Sequence, residues 1–159
     1  KLYLPIVTDG LLIAPSAARS TEVPGGSETV LIVEDDEAVR QVAVGFVQRL
    51  GYRVLQAADA AAALELLAAN ADVALLFTDV VLRGQVNGAE LARQALRMRP
   101  GLEILFTSGY APGAMPAQGG LDRPIELLGK PYRLRDLAAM LRRALDGEAQ
   151  APKGESSAD

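Results

Sequence analysis

Four short apolar runs in this chain each end in side chains suited to handling a phosphoryl group. Val30-Leu31-Ile32-Val33 leads into Glu34-Asp35-Asp36, and Val73-Ala74-Leu75-Leu76-Phe77-Thr78 into Asp79. Ile104-Leu105-Phe106 leads into Thr107-Ser108-Gly109, and Leu127-Leu128-Gly129 into Lys130-Pro131. A carboxylate can attack phosphorus, while hydroxyl and ammonium groups can stabilise charge on phosphoryl oxygens. Asp79 is where the chemistry is expected. Taken singly, each signal has a plainer reading. Glu34, Asp35 and Asp36 precede a helix, where acidic residues favour the N-terminal dipole. Asp79 alone is a turn or cap, Thr107-Ser108-Gly109 a turn, and Lys130 a solvated lysine. The joint reading depends on whether the four run ends meet in space.

The intervening sequence says that they do. Runs at Val30–Val33, Tyr52–Gln56, Val73–Thr78, Glu103–Phe106 and Ile125–Leu128 read as strands, and helical periodicity falls between them. Val39, Val42, Ala43, Phe46, Val47 and Leu50 form a stripe ending at Gly51, the usual residue after a helix. Asp59 can cap a second helix with Leu64 and Leu67 turned inward. A third helix runs from Ala89 to Met98, stopped by Pro100-Gly101. A last one spans Leu134–Leu145 with Leu134, Leu137, Leu141 and Leu145 on one face. Between strands four and five, residues 111–120 hold two prolines and three glycines, so any helix there is short or irregular. Strands separated by helices imply right-handed crossovers and a parallel sheet covered on both faces. Ligands of such sheets bind beyond the strand C-termini, where all four run ends fall.

Composition narrows the chemistry. The 159 residues suit one domain with tails. A net charge of −4 without a basic block disfavours nucleic acid and anionic membranes as partners. With neither cysteine nor histidine, disulfides, thiolate and imidazole metal sites, a Ser-His-Asp triad and a phosphohistidine on these residues are excluded. No apolar stretch approaches a membrane span, and Lys1 and Pro5 bracket too short an apolar run for a signal peptide. A cytoplasmic setting is the expectation. Residues 1–28, with their Pro, Gly and Ser punctuation, read as leader and linker, residues 29–146 as the domain, and residues 147–159 as a disordered tail.

In the order and spacing of these motifs, residues 29–146 resemble a response-regulator receiver domain. The resemblance implies a five-stranded, doubly wound, flavodoxin-like fold with strand order 2-1-3-4-5. It implies that Glu34 and Asp35 are the acidic pair that holds Mg²⁺, with Asp79 and the Val81 backbone carbonyl completing the set. Asp79 would be the phosphoacceptor, Gly88 the glycine opening the third helix, Thr107 the hydroxyl after strand four, and Lys130 the lysine after strand five, often before a cis peptide to Pro131. Physics supports the match. Carboxylates ~4 Å apart at an effective dielectric of ~20 repel by about 4 kcal/mol per pair. A hard cation relieves this and also binds phosphoryl oxygens. The donor implied is a histidine-containing phosphodonor domain of a kinase or phosphotransfer protein, docking over the rim near Asp36 and the first helix.

Some positions depart from the pattern. Arg83 stands where many receivers have proline, and its plain reading is a solvated side chain. Leu127 replaces an aromatic often used as a switch, and Tyr110 is a candidate to take over that role. Segment 107–111 resembles receivers attached to hybrid histidine kinases. Residues 1–6, Lys-Leu-Tyr-Leu-Pro-Ile, resemble the last strand of a histidine-kinase ATP-binding domain. The chain is therefore expected to be the C-terminal piece of a hybrid kinase, without kinase activity of its own. Two alternatives stay open. One is an aspartate-nucleophile phosphatase of the haloacid-dehalogenase type, although Asp35 is followed two residues on by Glu37 and no cap domain is evident. The other is an interaction module that works without phosphorylation. Oligomeric state is left open.

Overall fold

The computed structural model describes residues 23–83, 86–109 and 125–147. Five strands form one sheet: β1 (Thr29–Val33), β2 (Arg53–Ala57), β3 (Val73–Asp79), β4 (Glu103–Ser108) and β5 (Glu126–Gly129). Every pairing is parallel, and the order is β2-β1-β3-β4-β5. Four helices are described: α1 (Glu37–Arg49), α2 (Ala60–Ala69), α3 (Gly88–Met98) and α4 (Leu134–Leu145). This is the doubly wound fold that the sequence implies. The irregular helix expected over residues 111–120, the kinase-like strand at residues 1–6 and the tail beyond Gly147 lie outside the described residues.

Strand alternation divides the core. Leu31, Val33, Leu76 and Phe106 face Leu67, Leu91 and Ala95 on the side of α2 and α3. Val30, Ile32, Leu75, Phe77 and Leu105 face Val44, Val47, Leu137 and Leu141 on the side of α1 and α4. β1 is buried at all five residues, because it lies inside the sheet with both faces covered. The first three helices are each capped by a side chain. Asp36 Oδ1 accepts the Val39 N–H (3.1 Å), Asp59 Oδ1 the Ala62 N–H (2.9 Å) and Asn87 Oδ1 the Glu90 N–H (2.8 Å).

Two expectations need correction. Val42 is 54% exposed, whereas Val44 is buried. At 100° per residue Val42 lies about 140° round the helix from Val47, so it belongs to the solvent side, and the core stripe is Ala43, Val44, Val47 and Leu50. Residues 23–28, read as linker, pack on the domain. Gly26 N–H donates to Leu50 O (3.1 Å) and Arg53 N–H to Glu28 O (3.0 Å). Arg142 reaches Glu28 (2.8 Å) and lies over the Tyr52 ring. A Cβ on Gly25 would collide with the Leu50 carbonyl, and one on Gly26 with Tyr52 and Glu28. These glycines permit close backbone approach, which in sequence looks the same as linker flexibility.

Candidate functional site

The strand register brings the run ends together. Asp79 pairs with Thr107 across β3 and β4, and Thr107 with Leu128 and Ser108 with Gly129 across β4 and β5. The Lys130 N–H then donates to Ser108 O at 2.7 Å, which holds the segment after β5 beside β4. The Lys130-Pro131 bond is cis. Beyond these strand ends lies a cleft of about 270 Å³. Glu34, Asp35 and Asp36 line one wall, Asp79, Val81 and Arg83 another, and Ser108 and Gly109 the third.

Lys130 is the electrostatic centre. Its Nζ donates to Asp79 Oδ2 at 2.6 Å and to Glu34 Oε2 at 2.7 Å. The three side chains are 21%, 13% and 7% exposed, so the ion pairs are only partly screened by water. Burial by itself would lower the pKa of the ammonium. The hydrogen bonds to Asp79 and Glu34, and their charges, outweigh burial and hold it above the ordinary lysine value. The other oxygens of both acids are fixed from the backbone: Asp79 Oδ1 accepts the Val81 N–H (2.9 Å), and Glu34 Oε1 the Asp36 N–H (3.3 Å). Asp36 is the cap of α1. Asp35 pairs with Arg83, whose Nε is 2.8 Å from Oδ2. Arg83, given a plain solvated reading in sequence, thus engages a cleft carboxylate although its side chain is 82% exposed.

Gly88 sets how closely α3 approaches Asp79. Its N–H donates to Val80 O at 3.0 Å, and a Cβ there would collide with the Asp79 carbonyl oxygen. Only glycine lets α3 start this close to Asp79.

The hydroxyl assignment shifts by one residue. Thr107, the residue singled out in sequence, does not line the cleft; Ser108 does. The Thr107 Oγ1 is buried without a hydrogen-bond partner. The available signal was strand length: β4 continues through Ser108, not Phe106, so the residue that meets the rim is the last before Gly109. Leu127 is half-buried against the α2/α3 side of the core, and Tyr110 lies outside the described residues.

The profile of the response regulator receiver domain matches residues 30–142. The chain belongs to that family. Among its relatives, the sensor kinase CckA of Brucella abortus (strain 2308) is 34% identical over 154 residues, covering 92% of this chain and 16% of CckA. The receiver protein CpdR of the same organism is 34% identical over 116 residues, covering 73% of this chain and 95% of CpdR. The chain thus spans a small part of CckA and the matched receiver nearly the whole of CpdR. The crystal structure of the receiver domain from the hybrid histidine kinase CckA superposes with a TM-score of 0.61 at 32% identity, covering 74% of this chain and 98% of that one. A receiver protein structure from Sinorhizobium medicae WSM419, at 23% identity and a TM-score of 0.68, shares the fold.

Membership of this family, with the rim aspartate at the end of β3 and not β1, leaves the haloacid-dehalogenase alternative without support. This is a receiver domain of two-component signalling, a class that works with histidine kinase and phosphotransfer partners. Among the described residues no helix is long and apolar enough to cross a membrane. The receiver's cleft is lined by the carboxylates of Glu34, Asp35 and Asp79, oxygen donors of the kind a hard divalent cation takes. Among the described residues the acidic side chains do not already converge as a metal-holding group of three. They are turned to Lys130 and Arg83, and a cation would be held by exchanging those partners.

Proposed function

We propose that this receiver accepts a phosphoryl group from a partner phosphohistidine onto Asp79. The observation that carries the reading is the Lys130 ammonium held 2.6 Å from Asp79 on a rim shared with Glu34, Asp35 and Ser108. An Asp79 carboxylate oxygen forms the bond to phosphorus as the donor P–N bond breaks, and the leaving imidazole takes the electron pair. Lys130 is placed to accompany the developing charge on one phosphoryl oxygen, and Ser108 to offer a hydroxyl to another. The Val81 N–H on Oδ1 keeps the carboxylate plane fixed, so the attacking oxygen is pre-oriented. Glu34, Asp35, Asp79 and the Val81 carbonyl would hold Mg²⁺. When bound, that ion neutralises the carboxylates and binds phosphoryl oxygens.

We further infer that these residues are part of a hybrid sensor kinase. The similarity to CckA reaches over 92% of the chain, against 73% for CpdR, so it extends into the segments that flank the receiver. The test is a phosphotransfer assay. Labelled phosphate should pass from a phosphorylated histidine-bearing domain to this chain in Mg²⁺ and fail to pass in excess chelator. Absence of transfer from any histidine donor, with the domain folded, would favour an interaction module that works without phosphorylation.

A further inference from the structure

Of the four carboxylates that line the cleft, Asp36 caps α1 and the other three are paired with two cations. Lys130 serves Glu34 and Asp79, and Arg83 serves Asp35. The two cations are held differently. Among the described residues, the Lys130 side chain is 21% exposed and makes two short ion pairs, whereas that of Arg83 is 82% exposed and makes one. Asp35 is itself well covered, 15% exposed, so its carboxylate needs a counter-charge more than the Arg83 guanidinium does. Arg83 comes from the loop after β3, not from a strand or helix, and can leave without unpacking the core.

From this asymmetry we propose that Arg83 is an exchangeable counter-ion for Asp35: it occupies that carboxylate when no metal is bound and is displaced when Mg²⁺ binds. The inference rests on the reading of the cleft as a Mg²⁺-dependent phosphoryl-acceptor site. Arg83 thereby sets the Mg²⁺ concentration at which the acceptor becomes competent. A fully solvated bystander would have no such effect. An ion pair this exposed shifts a competing equilibrium about two- to fivefold, and less as salt screens it. In a pair this exposed, the positive charge matters more than the guanidinium geometry.

The test is Mg²⁺ binding to the full 159-residue chain, by calorimetry and by NMR of the Arg83 Nε–H. Arg83→Ala should tighten Mg²⁺ about two- to fivefold at low ionic strength, and the gain should shrink in high salt. Arg83→Lys should restore the parent affinity. In the parent, the Arg83 Nε–H resonance should move to that of a solvated arginine over the concentrations that saturate the site. Equal affinities of parent and Arg83→Ala, or an Nε–H signal indifferent to saturating Mg²⁺, would overturn the proposal and leave the receiver reading intact. Failure of the parent and both variants to bind Mg²⁺ would overturn both.

Discussion

Replacing Lys130 with methionine removes the ammonium but keeps an unbranched chain of similar size. Glu34 and Asp79 would then face each other without the nitrogen that each now touches, at 2.7 and 2.6 Å. Those contacts place the two carboxylates ~5 Å apart, where unit charges at an effective dielectric of ~20 repel by about 3 kcal/mol. Breaking a well-buried pair costs about 3–5 kcal/mol and an exposed one up to about 1. With side-chain exposures of 21%, 7% and 13%, this site lies nearer the first case, and Lys130→Met should cost about 2–4 kcal/mol. The sign of the pH dependence is clear. The folded pKa of Lys130 is raised, so its contribution is fully present below the ordinary value of 10.5 and is lost as pH rises through the folded one. A measurement at neutral pH therefore sees all of it. Urea denaturation of the parent, Lys130→Met, Asp79→Asn and the double variant closes the cycle. Asp79→Asn should recover at least half of the loss, because it removes one of the two repelling charges. A Lys130→Met loss below about 1 kcal/mol, or one that Asp79→Asn does not relieve, would refute the view of Lys130 as counter-ion to both acids.

Three further outcomes are expected. Gly88→Ala pushes a methyl group against the Asp79 carbonyl, so it should destabilise the domain by about 1–3 kcal/mol in urea melts and slow phosphoryl loading beyond what its unfolded fraction explains. Ser108→Ala should slow loading about tenfold or more, whereas Thr107→Val should leave the rate unchanged and stabilise by about 1 kcal/mol by removing a buried, unpartnered hydroxyl. The reverse order of effects in a loading assay would restore Thr107 to the site. The hydrogen bond from Arg142 lowers the pKa of Glu28 from its ordinary 4.5, so the anchoring of residues 23–28 should hold above pH 4.5 and loosen as pH falls through the lower folded value. Amide exchange at Arg53, whose N–H is bonded to Glu28 O, should report this, and Glu28→Gln should remove the pH dependence.

The sheet and its helices were readable because strand runs, helical stripes and stop signals agree at every level. Gly51 does end its helix, with φ at +93°, and Asp59 does cap the next. Asp79 and Lys130 could be placed on a common rim because parallel strands separated by helices leave few topologies open. The failures are local. Val42 joins the stripe in sequence because valine is apolar, although its angle turns it outward. Thr107 is the first hydroxyl after the apolar run, and a strand end cannot be fixed to one residue from periodicity, so the sequence does not point to Ser108. Gly25-Gly26 looked like linker because sequence does not distinguish a glycine that must be free from one that must be close. Arg83 looked solvated because its partner, Asp35, is 48 positions away in the chain and meets it only through the fold.

Phosphorylation of Asp79 would make an aspartyl phosphate, an acyl phosphate. After loading from a histidine donor, borohydride reduction converts an acyl phosphate to an alcohol whose position mass spectrometry reads directly. A single reduced position, residue 79, is expected, and none in Asp79→Asn. Label at Glu34, Asp35 or a hydroxyl residue with Asp79 unmodified, or undiminished loading of Asp79→Asn, would contradict Asp79 as the acceptor.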